Sequence, residues 1–204
     1  MKKFDLSLYG VTPSRCSLED IEAALRGGMT LLQLREKNMT DEALIEKARA
    51  VKALCHRYGV PLLINDRVRV ALAVDADGVH IGQQDMEAQN ARQLLGPDKI
   101  IGVTARTPEL ARAAEKAGAD YLGAGAVFGT STKADAKPLS VREFADVAKS
   151  VSIPVVAIGG ICSDNAGALS GSGLAGIAVV SGLFGADDIE AEAKRLLAIS
   201  HELQ

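Results

Sequence analysis

The chain has no tryptophan, and only three tyrosines and four phenylalanines among its 204 residues. It therefore offers no aromatic platform on which nucleic acid bases would stack, and aliphatic side chains must fill its core. A basic block is missing too. Lysine and arginine total 23 against 26 acidic residues, for a net charge of −3, so nucleic acid is not an expected partner. No run of about 18 apolar residues occurs, which argues against a membrane span. The N-terminal MKKFDLSLYGV has two lysines but too short an apolar run for a signal peptide. The cysteines, Cys16, Cys55 and Cys162, are odd in number, far apart and without zinc-ligand spacing. They read as free thiols of a cytoplasmic protein in a reducing compartment. Finally, the sequence shows no Ser–His–Asp or Cys–His arrangement for nucleophilic catalysis.

What is present is an alternation of short apolar runs with longer amphipathic segments. Hydrophobic residues make up 48% of the chain, enough for one domain over residues 1–204 with a sizeable core. Strands are expected at 3–11, 30–34, 61–64, 78–81, 99–103, 119–122, 154–158 and 175–180. Helices are expected from the Ser17–Asp20 capping box to Leu25, then at 41–58, 68–74, 86–95, 107–118, 140–150, 163–169 and from 187 to about 203. The strands are continuous apolar runs, as in a parallel sheet buried on both faces. Eight strand–helix pairs with no strand left over favour a (β/α)8 TIM barrel over a doubly wound sheet.

Chemistry in such a barrel belongs to the loops at the carboxyl ends of the strands. The stretch GAGAVFGTSTKADAKP at 123–138 stands out there. Its close-set glycines, the hydroxyls of Thr130, Ser131 and Thr132, and the cation of Lys133 suit a phosphate. A flexible, solvated turn fits the same composition. The other strand ends carry Gln33, Arg35 and Lys37, then Asn65 and Asp66, then Asp85, then Thr104, and finally Gly159–Gly160 and Val180–Ser181–Gly182.

Two groupings in this set carry chemistry. Arg35, Lys37 and Lys133 converge on one anion if their loops meet. Asp66 and Asp85 end adjacent strands about 5 Å apart, close enough to share Mg²⁺, which takes one or two carboxylates together with substrate phosphates. The glycine pair after strand 7 and the loop after strand 8 match the recurring barrel phosphate site, so a second phosphorylated ligand is expected. Plainer roles remain open for each. Arg35 and Lys37 could pair with Glu36 and Asp41, and Asp66 and Asp85 could cap the helices that follow them. His80 reads as a packed core histidine. A site rich in cations, carboxylates and hydroxyls but poor in bases suits departure of a pyrophosphate leaving group.

These residues resemble the thiamine phosphate synthase family. The matching segments are QLREK at 33–37, INDR at 64–67, DGVHIGQQD at 77–85, Thr104 after GV, GADYLGAGAVFGTSTK at 118–133, PVVAIGGI at 154–161 and VVSG at 179–182. The resemblance implies a barrel transferase of thiamine biosynthesis. Such an enzyme joins a hydroxymethylpyrimidine diphosphate to a hydroxyethylthiazole phosphate and releases pyrophosphate with Mg²⁺ as cofactor. It implies that Asp66 and Asp85 hold the metal. Gln33, Arg35, Lys37, Asn65, Thr104 and Lys133 would meet the pyrimidine diphosphate, with Arg35, Lys37, Thr104 and Lys133 in catalytic roles. Thr130, Ser131, Thr132, Gly160, Val180 and Ser181 would hold the thiazole phosphate. A homo-oligomer is left open.

The chain departs from the family pattern in three places. Arg106 stands where a histidine is usual, and Ala126 and Gly129 stand where prolines are usual, which predicts a looser loop. The acidic residue often found after the first strand's VT is missing. Two other readings compete: a thiazole tautomerase of the same barrel family, and a non-catalytic binder of a phosphorylated ligand. The tautomerase typically relies on the histidine replaced here by Arg106. Mere binding would not need two carboxylates and three cations.

Overall fold

The computed structural model describes residues 4–14, 16–129 and 138–204. Eight parallel strands close into a barrel in chain order, with β1 (Leu8–Val11) pairing β8 (Ile177–Val179). Between them run β2 (Leu31–Leu34), β3 (Leu62–Asn65), β4 (Gly78–Ile81), β5 (Ile100–Thr104), β6 (Tyr121–Gly125) and β7 (Val155–Ile158). The fold is a (β/α)8 barrel.

The period-2 alternation of each strand sorts its side chains between two cores. Tyr9, Val11, Leu31, Leu63, Ile100, Tyr121, Val156 and Ala178 fill the barrel interior. Leu8, Leu32, Leu34, Ile64, Val79, Ile101, Leu122 and Ile177 pack outward beneath the helices. Outside the sheet lie α1 (Leu18–Arg26), α2 (Asp41–Arg57), α3 (Val68–Ala73), α4 (Ala88–Leu95), α5 (Pro108–Lys116) and α6 (Val141–Lys149). A short α7 (Ser181–Phe184) and the long α8 (Ile189–Leu203) complete the ring.

The expected start signals operate as physical caps. Ser17 and Asp20 form a reciprocal capping box on α1, and Ser140 and Glu143 do so on α6. Thr40, Thr107 and Asp188 each accept from a first-turn amide of their helix, which satisfies otherwise orphaned donors.

Several expected boundaries shift. The first strand begins at Leu8 rather than residue 3; just before it, Ser7 donates its amide to Asp5, which makes a turn. The helix expected at 86–95 begins at Ala88. In place of a helix at 163–169 there is one 3-10 turn, Ala166–Leu169. That segment continues into SGSG, where glycine weakens helix propensity, and the Asn165 side chain bonds local backbone instead. β6 runs on to Gly125, so Gly123 and Gly125 are strand residues rather than loop residues. Their lack of a side chain serves packing: a Cβ on Gly125 would lie 1.9 Å from the Ile158 carbonyl oxygen of β7.

Candidate active site

At the carboxyl ends of the strands the barrel opens into a cleft of about 700 Å³. Ten of the residues expected from sequence line it: Gln33, Arg35, Lys37, Asn65, Asp66, Asp85, Thr104, Gly160, Val180 and Ser181. They come from six different strands, and the barrel's closure brings them together. Thr130, Ser131, Thr132 and Lys133 lie outside the described residues.

The carboxylate pair sits where β3 and β4 end. Asp66 adopts the left-handed conformation (φ 59°), which few residues other than glycine tolerate and which Asp and Asn tolerate best. Its amide donates to the His80 carbonyl oxygen at 2.8 Å, tying the turn to β4. The Asn65 side-chain amide donates to the Asp66 carboxylate at 2.6 Å. Asp85 accepts from the Gly82 amide at 2.7 Å, which folds its loop back toward the strand end.

The two carboxyl groups are within hydrogen-bonding reach of each other. Burial pushes the Asp66 carboxyl up to about 6, and the bond to Asp85 and its charge push the same way. Asn65 and Lys37 oppose that rise. The plainer role as helix caps does not hold. The N-cap of α3 is Arg67 and that of α4 is Glu87, and neither makes a side-chain cap bond. Among the described residues no group of three or more His, Cys, Asp or Glu side chains is arranged for a metal. A cation at the pair would therefore draw its remaining oxygens from substrate and water, the coordination that Mg²⁺ favours.

The loop after β2 carries Arg35 and Lys37. The carboxylates expected to compete for them are engaged elsewhere: Glu36 pairs with Lys47 at 2.5 Å, and Asp41 with Arg67 at 2.9 Å. The Arg35 amide donates to the Thr12 hydroxyl at 2.9 Å, which anchors the loop to β1. Arg67 does more than neutralise Asp41. Its guanidinium also donates to the carbonyl oxygens of Met39 (2.6 Å), Glu36 (3.3 Å) and Lys37 (3.2 Å). One planar fork thus fixes the loop that presents the two cations. Sequence reasoning gave Arg67 no role, although it follows Asp66 directly.

On the far side of the cleft, Gly160 is left-handed (φ 66°), and a Cβ there would meet the Gly129 carbonyl oxygen at 2.3 Å. Phe128 donates its amide to the Gly159 carbonyl oxygen at 3.0 Å. Asn165 holds the Gly160 carbonyl oxygen at 2.8 Å and accepts from the Cys162 amide at 2.9 Å. The loops after β6 and β7 are thereby stitched together beside Val180 and Ser181.

His80 is a buried histidine, as expected, yet it also lines the cleft. Its ring nitrogens bond the Tyr121 hydroxyl at 2.9 Å and the Thr104 hydroxyl at 3.0 Å. Sequence reasoning passed over Tyr9 and Tyr121; inward periodicity on β1 and β6 was the signal that could have found them. Arg106 also lines the cleft. Burial pushes the Cys16 and Cys55 thiols up to about 12, which suits structural thiols rather than nucleophiles.

Strand ends bearing cations, a carboxylate pair and a backbone cradle place this chain among (β/α)8 barrels built to handle anionic ligands. The comparisons with known proteins are narrower. The sequence profile described as thiamine monophosphate synthase matches residues 8–183. A thiamine-phosphate synthase of Ruminiclostridium cellulolyticum is 48% identical over 202 residues, covering 97% of this chain and 96% of the relative. One from Clostridium acetobutylicum is 48% identical over 204 residues, covering 98% and 97%. The solved structure of a thiamine phosphate pyrophosphorylase from Pyrococcus furiosus superposes with a TM-score of 0.90 at 41% identity, covering 97% of this chain and 96% of that one. The chain belongs to the thiamine monophosphate synthase family.

Proposed function

We propose that this protein is a transferase that makes thiamine phosphate from a hydroxymethylpyrimidine diphosphate and a hydroxyethylthiazole phosphate, with the chain acting as one catalytic domain. The observation that carries this reading is the carboxylate pair of Asp66 and Asp85, set in the same cleft as Arg35 and Lys37. In the reaction, the bond between the pyrimidine methylene carbon and the diphosphate oxygen breaks, and its electron pair leaves with pyrophosphate. The thiazole nitrogen lone pair then forms the C–N bond to that carbon.

The chain's residues divide this work. Gln33, Asn65 and Thr104 seat the pyrimidine half over the barrel floor. Arg35, Lys37 and Lys133 receive the negative charge that develops on the leaving group, the kind of stabilisation that dominates such steps. Asp66 and Asp85 would hold Mg²⁺, which when bound supplies further charge neutralisation at the diphosphate. Gly160, Val180 and Ser181, with Thr130, Ser131 and Thr132, hold the thiazole phosphate so that its ring nitrogen faces the methylene carbon.

Among the described residues no helix is long and apolar enough to cross a membrane, and all three cysteines are free thiols. A reducing cytoplasm suits both. The test is to incubate the protein with both phosphorylated halves and Mg²⁺ and to follow thiamine phosphate and pyrophosphate in equal amounts. Absence of both products would refute the reading and direct the assay to thiazole isomerisation.

A further inference from the structure

The interior of the barrel carries an unbroken polar chain beneath the cleft. The Gln33 side-chain nitrogen bonds the Tyr9 hydroxyl. The Tyr9 and Tyr121 hydroxyls are 2.8 Å apart. The Tyr121 hydroxyl lies 2.9 Å from His80 Nδ1, and His80 Nε2 lies 3.0 Å from Thr104 Oγ1. Five side chains on β2, β1, β6, β4 and β5 thus link two cleft residues through the barrel. The middle of the chain is dry: Tyr9 is 1% and Tyr121 0% exposed.

Hydrogen counting gives this chain a direction. In this orientation the Gln33 amide turns its nitrogen, which only donates, toward the phenol, so Tyr9 accepts from Gln33. The Tyr9 hydroxyl has one hydrogen, and a buried hydroxyl hydrogen left without an acceptor costs roughly 1–3 kcal/mol. It therefore goes to Tyr121. The Tyr121 hydrogen in turn goes to His80 Nδ1. That nitrogen must be unprotonated, so Nε2 carries the imidazole hydrogen and donates it to Thr104. The reverse order would require the Gln33 amide to be flipped, with its carbonyl oxygen toward the Tyr9 hydroxyl. Burial holds both phenols well above their usual range, so the tyrosines keep the hydrogens this count requires.

We propose that Tyr9, Tyr121 and His80 are positioning residues that fix the polarity of the cleft floor, presenting the Gln33 carbonyl oxygen as an acceptor and the Thr104 hydroxyl as a donor to the pyrimidine half. A ligand that offers an N–H donor and a ring-nitrogen acceptor, as an aminopyrimidine does, satisfies both groups. A pyrimidine with an oxo group in place of the amine presents the opposite pattern, and it would leave buried polar groups unmatched. Discrimination of this kind reaches several orders of magnitude where a site is built around one hydrogen-bond pattern. The inference rests on the proposed pyrimidine transferase reading.

Two measurements test it separately from that reading. The first is nitrogen-15 histidine NMR of the wild-type protein without substrate, which expects His80 in the neutral form protonated at Nε2. A hydrogen on Nδ1 would overturn the proposal, whatever reaction the protein performs. The second compares amino- and oxo-pyrimidine diphosphates as substrates for wild type and Tyr121→Phe. The wild-type preference in kcat/KM should fall at least tenfold in the variant, with KM for the thiazole phosphate unchanged. A preference that survives intact would overturn the polarity role. Tyr9→Phe breaks the same chain one link earlier and carries the test if Tyr121→Phe does not fold. A wild-type protein that makes no thiamine phosphate would refute the transferase reading, while the NMR result would still decide the direction of the chain.

Discussion

Asp66→Asn should make the metal-free protein more stable and the metal-loaded protein inactive. The Asp66 carboxyl is raised from an ordinary 3.8 to about 6, by burial first and by Asp85 second. A folded-state value above the unfolded one means that the folded protein holds the proton more tightly. This contribution to stability is present below about pH 4 and is lost as pH rises through about 6. At pH 7 the carboxylate is charged in both states, and the folded protein bears the full cost of confining two neighbouring anions. Two pKa units correspond to about 3 kcal/mol. Because Asp66 is only half-buried, solvent screening reduces this to the order of 1 kcal/mol.

For a chain of this size, about 1 kcal/mol moves the melting temperature by roughly 2–4 °C. Asparagine keeps the tolerance for the left-handed turn at this position and removes one charge. In EDTA at pH 7 the variant should therefore melt 2–4 °C higher than wild type. At pH 4, where the wild-type carboxyl is protonated, the two should coincide. Millimolar Mg²⁺ should raise the wild-type melting temperature, since a ligand that binds only the folded state stabilises it, and should leave the variant unmoved. The reasoning fails if the variant is no more stable in EDTA at pH 7, if its margin persists at pH 4, or if Mg²⁺ shifts both proteins equally.

Other perturbations follow from the same geometry. Arg67→Lys keeps a charge near Asp41 but cannot reach three carbonyl oxygens as a fork. It should lower kcat/KM for the diphosphate about tenfold with little change in KM for the thiazole phosphate; an unchanged value would deny the loop a positioning role. Gly160→Ala places a Cβ 2.3 Å from the Gly129 carbonyl oxygen in a left-handed backbone and should raise KM for the thiazole phosphate at least tenfold in steady-state assays. Gly102→Ala would put a Cβ 2.1 Å from the Tyr121 ring. Overpacking of that kind should cost about 1–3 kcal/mol in denaturant unfolding and weaken the pyrimidine substrate more than the thiazole one. Lys37→Ala removes a charge that lowers the Asp66 pKa, so the pH at which Mg²⁺ binding is half lost should move upward.

The barrel was legible because its signals are local and repeated. Apolar runs of strand length recur eight times, hydroxyl or carboxylate caps open five of the described helices, and each signal has its own physical cause. The strand-end residues were legible for the same reason: once the strands are numbered, Asp66, Asp85, Arg35 and Lys37 fall at the same end of the barrel. What escaped depends on relations between strands. Arg67 matters through three carbonyl oxygens on a loop some thirty residues earlier in the chain, and no spacing rule shows a side chain turning back to its own scaffold. Tyr9 and Tyr121 are 112 residues apart; each reads singly as an ordinary core aromatic, and only barrel closure joins their hydroxyls. The glycines at 123 and 125 misled for the opposite reason. Their composition suggested a loop, but packing requires them to be small: a Cβ on Gly125 would meet Ile158 of β7, and one on Gly123 would meet the His80 ring of β4.

The distribution of charge around the cleft bears on how two phosphorylated ligands would be kept in order. Carboxylates and cations gather at the ends of β2, β3, β4 and β5, whereas the β7 and β8 ends offer glycine backbone and a hydroxyl. Between them the floor is neutral: two un-ionised phenols, an imidazole, an amide and an alcohol joined by hydrogen bonds. On the proposed reading, a diphosphate with its metal would be attracted to the charged side, and a monophosphate ester would be accommodated by backbone amides on the other. In the proposed reaction the atoms that exchange bonds lie over the neutral floor, whose described side chains include no carboxylate to capture an electron-poor methylene carbon before the thiazole nitrogen does. Placing a carboxylate there should divert that carbon. Gln33→Glu puts one within a side chain's reach of the pyrimidine seat, and it should yield either an ester on the protein, visible as a mass increase equal to the pyrimidine methylene fragment, or alcohol released with pyrophosphate but without thiamine phosphate. Unchanged coupling between pyrophosphate release and thiamine phosphate formation would show that floor neutrality is not what protects the intermediate.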